Sequence, residues 1–384
     1  MKPYAAHLAD CRRLLPALPT ERVPVVDSAG RMLSEDIVTP VDSPAFATSA
    51  MDGYAVRVAD TPGQLAVAGE VTAGRLPEVA VKAGTAVRIM TGAAIPTGTE
   101  AVVPVEDTRE RELHVDIVGA VSDGKHIRPA GEDLHAGDVV VRRGTFLGPR
   151  HIAALLTVGV TSVPVRRRPR IAIVSTGDEL VPPGQVPGPA QLVDSNGPAL
   201  TVAAIEAGGD VVHTDRVSDE PAELLAALDA LPDVDLIVTS GGVSMGRYDV
   251  VKAALAPMGI TFEPVAMQPG KPQAWGRYRD GAAFLGLPGN PVSALVCFEL
   301  FGRAVIGCER PVHSAILAAD VQRHGRRGLR QFLRGTLTEG GVTVGDRQGS
   351  HMTGALARAN CLLVVPEDVD QYRAGEIVQV VALD

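Results

Sequence analysis

Between residues 170 and about 308, apolar runs of strand length alternate with amphipathic runs of helix length, and this alternation limits the available folds more than any other feature of the chain. RIAIVST (170–176) carries the unbroken apolar run of a strand buried on both faces, and PALTVAAIEAG (198–208) reads as a helix with Pro198 in its first turn and Gly208 at its end. GDVVHTD follows as a strand, EPAELLAALDAL as a helix with Pro221 near its start and Asp219 as a candidate N-cap, and DLIVTS as the next strand. A Gly-rich loop, a helix at about 248–258, strands near 260–267 and 283–287 and a long helix from Pro291 complete the series. Strands separated by helices of this length predict a mostly parallel sheet covered on both sides.

The flanks follow other rules. Leu8, Cys11, Leu14 and Leu15 recur at helical spacing near the start, before RMLSEDIV as a strand. From about 43 to 145 helical periodicity disappears, and QLAVAG, TAVRIM, AVVPVE and LHVDIV run between Gly, Pro and Asp punctuation as short strands. GPRHIAALLTVGV (148–160) returns to helix, so the β stretch reads as an insertion. RRRPR (166–170) reads as an exposed linker, and after Pro311 the pattern turns to β again. A chain of 384 residues exceeds one ordinary core, and the expected organisation is multidomain α/β plus β. It comprises an N-terminal helix-containing domain (1–42 and 127–166), an inserted small β domain (43–126), a central α/β domain (167–310) and a C-terminal β-barrel-like domain (311–384).

A formal net charge of −9 leaves no basic face for nucleic acid, although a small phosphorylated ligand needs only backbone amides and one or two cations. No segment approaches the ~20 apolar residues of a membrane span, so a cytoplasmic protein without membrane contact is expected. Cys11, Cys297, Cys308 and Cys361 are far apart with no C-x-x-C pair, which argues against disulfides and structural zinc.

In an open α/β sheet the ligand sits beyond the carboxyl ends of the strands. There this sequence places Ser175-Thr176-Gly177-Asp178-Glu179, Ser218-Asp219-Glu220, Ser240-Gly241-Gly242-Val243-Ser244-Met245-Gly246-Arg247-Tyr248-Asp249, Gln268-Pro269-Gly270-Lys271 and Pro288-Gly289-Asn290-Pro291-Val292-Ser293. Residues without Cβ let backbone N–H groups approach phosphate oxygens, and serines add donors. Neither a Walker A nor a G-x-G-x-x-G pattern is present. Asp178, Glu179, Asp219 and Asp249 beside such a cradle would repel a bare anion, a conflict that one Mg²⁺ bridging phosphate and carboxylates resolves, with Lys271 as a further positive charge. Outside this region, Asp52-Gly53 between apolar neighbours in SAMDGYAV is a hairpin-turn signature, because both residue types tolerate positive φ.

SAMDGYAV, RIMTGA (88–93), RPAGED (128–133), STGDEL (175–180), DSNGP (194–198), SGGVSMGRYD (240–249), PGKP (269–272) and LPGNPVSA (287–294) together resemble the molybdopterin molybdenumtransferase family, the MoeA proteins and the gephyrin E domain, over nearly the whole chain. The resemblance implies insertion of molybdate into adenylated molybdopterin with Mg²⁺, releasing AMP. It implies a homodimer whose active site is shared between subunits, with Asp52 and Thr91 reaching a neighbour's crevice, and transient contact with molybdopterin-synthesis and molybdoenzyme partners. Under it Asp52, Thr91, Asp133, Glu179, Asp219 and Lys271 are the catalytic candidates, and Glu179, Asp219 and Asp249 the metal ligands. Ser175, Thr176, Gly177, Ser240, Gly241, Gly242, Ser244, Gly246, Pro288, Gly289, Asn290, Pro291 and Ser293 are the substrate-binding candidates. Many relatives carry Lys-Pro-Gly-Lys where this chain has Gln268-Pro269-Gly270-Lys271, which leaves Arg88, Arg128 or Arg247 to compensate. A molybdopterin adenylyltransferase on the same α/β fold and a non-catalytic, gephyrin-like scaffold are the alternative readings.

Overall fold

The computed structural model describes residues 1–243 and 250–383. They form two compact units, Met1–Pro19 with Arg167–Asp384, and Thr20–Arg166. In the first, six strands lie in the order Asp210–Val217, Arg170–Thr176, Leu236–Ser240, Ala283–Leu287, Pro272–Arg277, Ile260–Pro264. The first four are parallel, Pro272–Arg277 runs against them and Ile260–Pro264 runs with them again, so the expected mostly parallel sheet is present.

Its unbroken apolar strands follow from cover on both faces, since alternate residues feed different cores. Ile171, Ile173, Leu236, Val238 and Leu285 pack with the helices Asn196–Glu206 and Pro291–Cys297. Val174, Ile237 and Phe284 point the other way, onto Leu224 and Leu228 of the helix Pro221–Asp229 and onto Val251 and Leu255. The helix expected to run on from Pro291 continues through one π-helical turn, Phe298–Gly302, into Arg303–Ile306.

The first helix, Tyr4–Leu14, buries Tyr4, His7, Cys11 and Leu14, one side of a 3.6-residue period. The sequence grouped it with residues 1–42, yet its aromatic and apolar side chains join the core of the α/β unit: the Tyr4 ring lies 5.5 Å from Phe301 and 5.2 Å from Phe332, and His7 4.8 Å from Trp275. Phe332, Leu362 and Val381 of the C-terminal strands close the same core. Those strands form a sheet in the order Met267–Gln268, Arg330–Thr338, Cys361–Val365, Ile377–Ala382, Val312–Ile316, with Gly341–Val344 beside Arg330–Thr338. The RRRPR run is more anchored than a free linker, because Arg167 grips both carboxylate oxygens of Asp235 at 2.8 and 2.9 Å.

The second unit holds a sheet in the order Ala101–Pro104, Gly53–Val56, Thr85–Ile89, Gly63–Val71, His114–Ile117, Thr108–Glu110. Both faces are covered: Tyr54, Val56, Ala86 and Val103 pack on one, Ala55, Val87, Ile89 and Val102 on the other. A separate core of Val25, Leu33, Leu147, Leu155, Val163 and Val165 lies around the helix Pro149–Thr157 and the paired strands Thr20–Pro24 and Ser162–Arg166.

Asp52-Gly53 is not a hairpin turn. Residues 50–52 bend between Thr48–Ser49, which pairs with Ile127–Arg128, and Gly53–Val56, which pairs with two other strands. Gly53 is required by close approach rather than by positive φ: a Cβ there would lie 2.0 Å from the Val103 carbonyl oxygen.

Candidate functional site

The chain runs from the strand Arg170–Thr176 to a neighbour on one side, Asp210–Val217, and then returns to the other side as Leu236–Ser240. Strand order reverses between the two strands that end in Thr176 and Ser240, and loops diverging from such a point leave a crevice at the carboxyl ends. A cavity of about 630 Å³ opens there. Thr176, Gly177 and Glu179 line it from the first strand's loop, and Asp219 from the loop after Val217. Ser240, Gly241 and Gly242 contribute from the third strand, with Pro288, Gly289, Asn290 and Pro291 from the fourth. Gly241 has φ +102° and passes so close to the first strand that a Cβ would sit 2.5 Å from the Thr176 carbonyl oxygen. The glycine is thus required by its approach to the neighbouring strand, a different ground from the approach of backbone N–H groups to phosphate oxygens expected of the loop.

The polar groups divide into committed and uncommitted ones. Ser175 is buried and its hydroxyl bonds Asp194 Oδ1 at 3.1 Å; the same oxygen accepts the Gly197 N–H at 3.0 Å. Asn196 donates from Nδ2 to Ser240 Oγ at 2.7 Å and to the Gly289 carbonyl at 2.8 Å. One amide thus joins three loops. Its Oδ1 and the Thr176 hydroxyl are buried without a partner among the described residues.

Asp178 and Glu179 lie near enough to Asp219 for their charges to act on it. Asp178 Oδ1 accepts the Asp219 backbone N–H at 3.0 Å. Burial, and then the negative charges of Asp178 and Glu179, hold the Asp219 carboxyl above its ordinary range. Asp219 is not a helix cap, since the helix Pro221–Asp229 begins after Glu220, and its side chain is left to the cavity.

Several candidates lie elsewhere. Ser175 and Ser293 are buried behind the cavity wall, and Lys271 is exposed outside the lining, with no ion pair among the described residues. The amides expected to be free at the start of the helix Pro291–Cys297 are partly used, since Val292 N–H donates to the Ser350 carbonyl. Ser244, Gly246, Arg247 and Asp249 fall outside the described residues. Gln268 accepts a hydrogen bond from Gln331 Nε2 at 3.1 Å, which ties it to the C-terminal sheet. Asp194, Asn196 and His351 also line the cavity and were not singled out as site residues. The DSN tripeptide between a strand and a helix start was the available signal for the first two, whereas His351 had none.

Asp52, Thr91 and Asp133 belong to the second unit. Asp52 Oδ1 accepts the Thr91 backbone N–H at 2.6 Å and its hydroxyl at 2.8 Å. These two bonds, the backbone one first, hold the Asp52 carboxyl below the ordinary range. Asp133 is exposed, with its backbone N–H on the Ser43 carbonyl at 2.9 Å. Arg88 is engaged with Glu110 at 2.7 Å and Glu70 at 3.9 Å, while Arg128 is exposed.

Residues 2–159 match the family description "MoeA N-terminal region (domain I and II)", residues 172–307 "Probable molybdopterin binding domain" and residues 315–383 "MoeA C-terminal region (domain IV)". The Mycobacterium tuberculosis protein named molybdopterin molybdenumtransferase 2 is 42% identical over 93% of this chain and 94% of its own length. The chain belongs to the MoeA family. Another relative, the Haemophilus influenzae molybdopterin molybdenumtransferase, is 35% identical over 94% of this chain and 93% of its own. The fold agrees: the crystal structure of the Pyrococcus horikoshii OT3 molybdopterin biosynthesis moeA protein superposes with a TM-score of 0.85 at 28% identity, covering 100% of both chains. In this MoeA protein the cavity is built almost wholly from the segment matching the molybdopterin-binding description, and His351 reaches it from the MoeA C-terminal region.

Proposed function

We propose that this chain is a molybdopterin molybdenumtransferase that inserts molybdate into adenylated molybdopterin with Mg²⁺, releasing AMP. The observation that carries the reading is the crevice at the strand-order reversal, where glycine loops face a set of carboxylates. The loops at Gly177, Gly241 and Gly289 would hold anionic groups through backbone N–H groups, and Asn196 fixes two of those loops against each other. Glu179 and Asp219 would orient the phosphoanhydride side of the reaction.

The donor chemistry fits Mg²⁺, a hard cation that takes carboxylate oxygens and keeps water and substrate oxygens as further ligands. Glu179 and Asp219 would hold it, and Asp219, disfavoured as a bare charge, would be relieved by it. Among the described residues no group of three potential ligands completes a site by itself. The remaining positions fall to Asp249, which lies outside the described residues, and to substrate oxygens and water. Bound there, the cation would screen phosphate charge as the anhydride breaks. Asp52, with its carboxylate fixed by Thr91, is the candidate from the β unit. A homodimer and passing contact with the enzymes that supply and accept the pterin belong to the same reading.

The test supplies purified protein with adenylated molybdopterin, molybdate and Mg²⁺ and follows AMP together with the cofactor formed. Glu179→Ala and Asp219→Asn should each slow AMP release by about 100-fold. Equal rates for wild type and Glu179→Ala would remove Glu179 from the site, and consumption of ATP with molybdopterin alone would move the protein to the adenylyltransferase reading. Sedimentation as a monomer would remove the dimer.

A further inference from the structure

We propose that Asn196 is a substrate-specificity residue whose side-chain carbonyl accepts a hydrogen bond from a ribose hydroxyl of the nucleotide half of the substrate. The inference rests on the functional reading above and deepens it. Asn196 is the first residue of the helix Asn196–Glu206, and both N–H bonds of its amide are spent, one on Ser240 Oγ and one on the Gly289 carbonyl. The orientation of the group is therefore fixed, since turning it over would set Oδ1 against the Gly289 carbonyl oxygen. Asn196 lines the cavity, and its carbonyl oxygen is a buried acceptor with no partner among the described residues. An acceptor in that position costs free energy unless water or a ligand donates to it.

The chemistry of the surroundings selects the donor. A phosphate oxygen cannot serve, because an unprotonated phosphate has only acceptors. Phosphate suits the neighbouring glycine loops and the hydroxyl of the buried Thr176, which has no partner among the described residues. On the other side the cavity has an apolar lip, Leu192 and Val193, left 62% and 39% exposed. An apolar lip for a flat base, a lone acceptor in the wall and an anion cradle together match a nucleoside monophosphate. The acceptor falls to the sugar, whose hydroxyls are its neutral donors closest to the phosphate. Asp194 keeps this acceptor in place by bonding Ser175 and the Gly197 N–H, which fixes the start of the helix that carries it.

The test is calorimetric binding of AMP, 2′-deoxy-AMP and 3′-deoxy-AMP to the full chain with Mg²⁺ present. Wild type should bind one of the two deoxynucleotides about 10-fold or more weaker than AMP, the range for a buried acceptor left unpaired. Asn196→Ala should weaken AMP by a similar factor and lose the discrimination between AMP and that analogue. Ser240→Ala, which removes one clamp and leaves the carbonyl, should weaken AMP yet keep the discrimination. Equal affinity of wild type for all three nucleotides overturns the proposal without touching the functional reading. No binding of AMP by wild type overturns both. The comparison of wild type with the three nucleotides holds even if the alanine variant does not fold.

Discussion

Gly53→Ala tests whether close approach, rather than turn formation, explains the glycine beside Asp52. The new Cβ would lie 2.0 Å from the Val103 carbonyl oxygen, 2.8 Å from its carbon and 3.0 Å from the Pro104 Cα, all backbone atoms that cannot rotate away. A carbon and an oxygen settle at about 3.3 Å, so Gly53–Val56 and Ala101–Pro104 must part by roughly 1 Å. Overpacking of that kind costs ~1–3 kcal/mol, and weakening the Gly53/Pro104 end of the ladder, with the bond from Val105 N–H to the Asp52 carbonyl, adds ~1 kcal/mol. The total is about 3 kcal/mol, near a 150-fold change in an opening equilibrium. The assay must resolve the two units, because one global midpoint does not describe both. The single tryptophan, Trp275, lies in the α/β unit and reports that unit alone. Hydrogen exchange of peptides covering 53–56 and 101–104 should quicken about 100-fold while the Trp275-detected urea midpoint stays put. Unchanged exchange in both peptides would mean that the strands accept a methyl group and that the argument from close approach is wrong.

Thr91→Ala removes one of the two donors that hold Asp52 ionised, so the Asp52 carboxyl should titrate higher than in wild type by NMR. A depressed carboxyl supports the fold above its ordinary pKa and loses that support as pH falls through the folded value, so the variant should be less sensitive to acid. An unmoved titration would show that the backbone N–H alone sets the value. Asp219→Asn works in the opposite sense. A carboxyl raised by burial and by its acidic neighbours penalises the fold as pH rises through its titration, so the metal-free variant should melt higher than wild type at pH 7 and equally near pH 3. It should also lose stabilisation by added Mg²⁺, and a lower melting point at pH 7 would contradict the account. Asp235→Ala strips the Arg167 fork and the Arg170 N–H of their acceptor, and should lower the Trp275-detected stability by about 2 kcal/mol.

The α/β sheet was legible because burial on both faces forces a strand to be apolar at every position, a pattern that needs no knowledge of its neighbours. The loops at its carboxyl ends were legible for the same reason: once the strands are known, the residues after Thr176, Val217, Ser240 and Leu287 must gather at one edge. What escaped depends on partners distant in sequence. Gly53 looks like a turn residue until Val103 lies against it, and Tyr4 looks like part of an N-terminal domain until Phe301 and Phe332 take its ring. His351 lies between the C-terminal strands and reaches the cavity only because Ser350 accepts the Val292 N–H and ties that segment to the helix start.

Asn196 shows why acids were easier to nominate than amides. A carboxylate in a glycine-rich loop raises an electrostatic conflict that can be recognised from sequence alone, and Glu179 and Asp219 do line the cavity. An amide raises none, because Asn is at home at a helix start and in a turn. Its importance comes from the geometry that exhausts both its donors on Ser240 and Gly289 and leaves its acceptor unmatched among the described residues. The acids mark where charge must be managed, whereas the amide determines which neutral group can stand beside that charge. A crevice with acids alone would take a phosphorylated ligand with little regard to the rest of it; the fixed carbonyl of Asn196 supplies the regard.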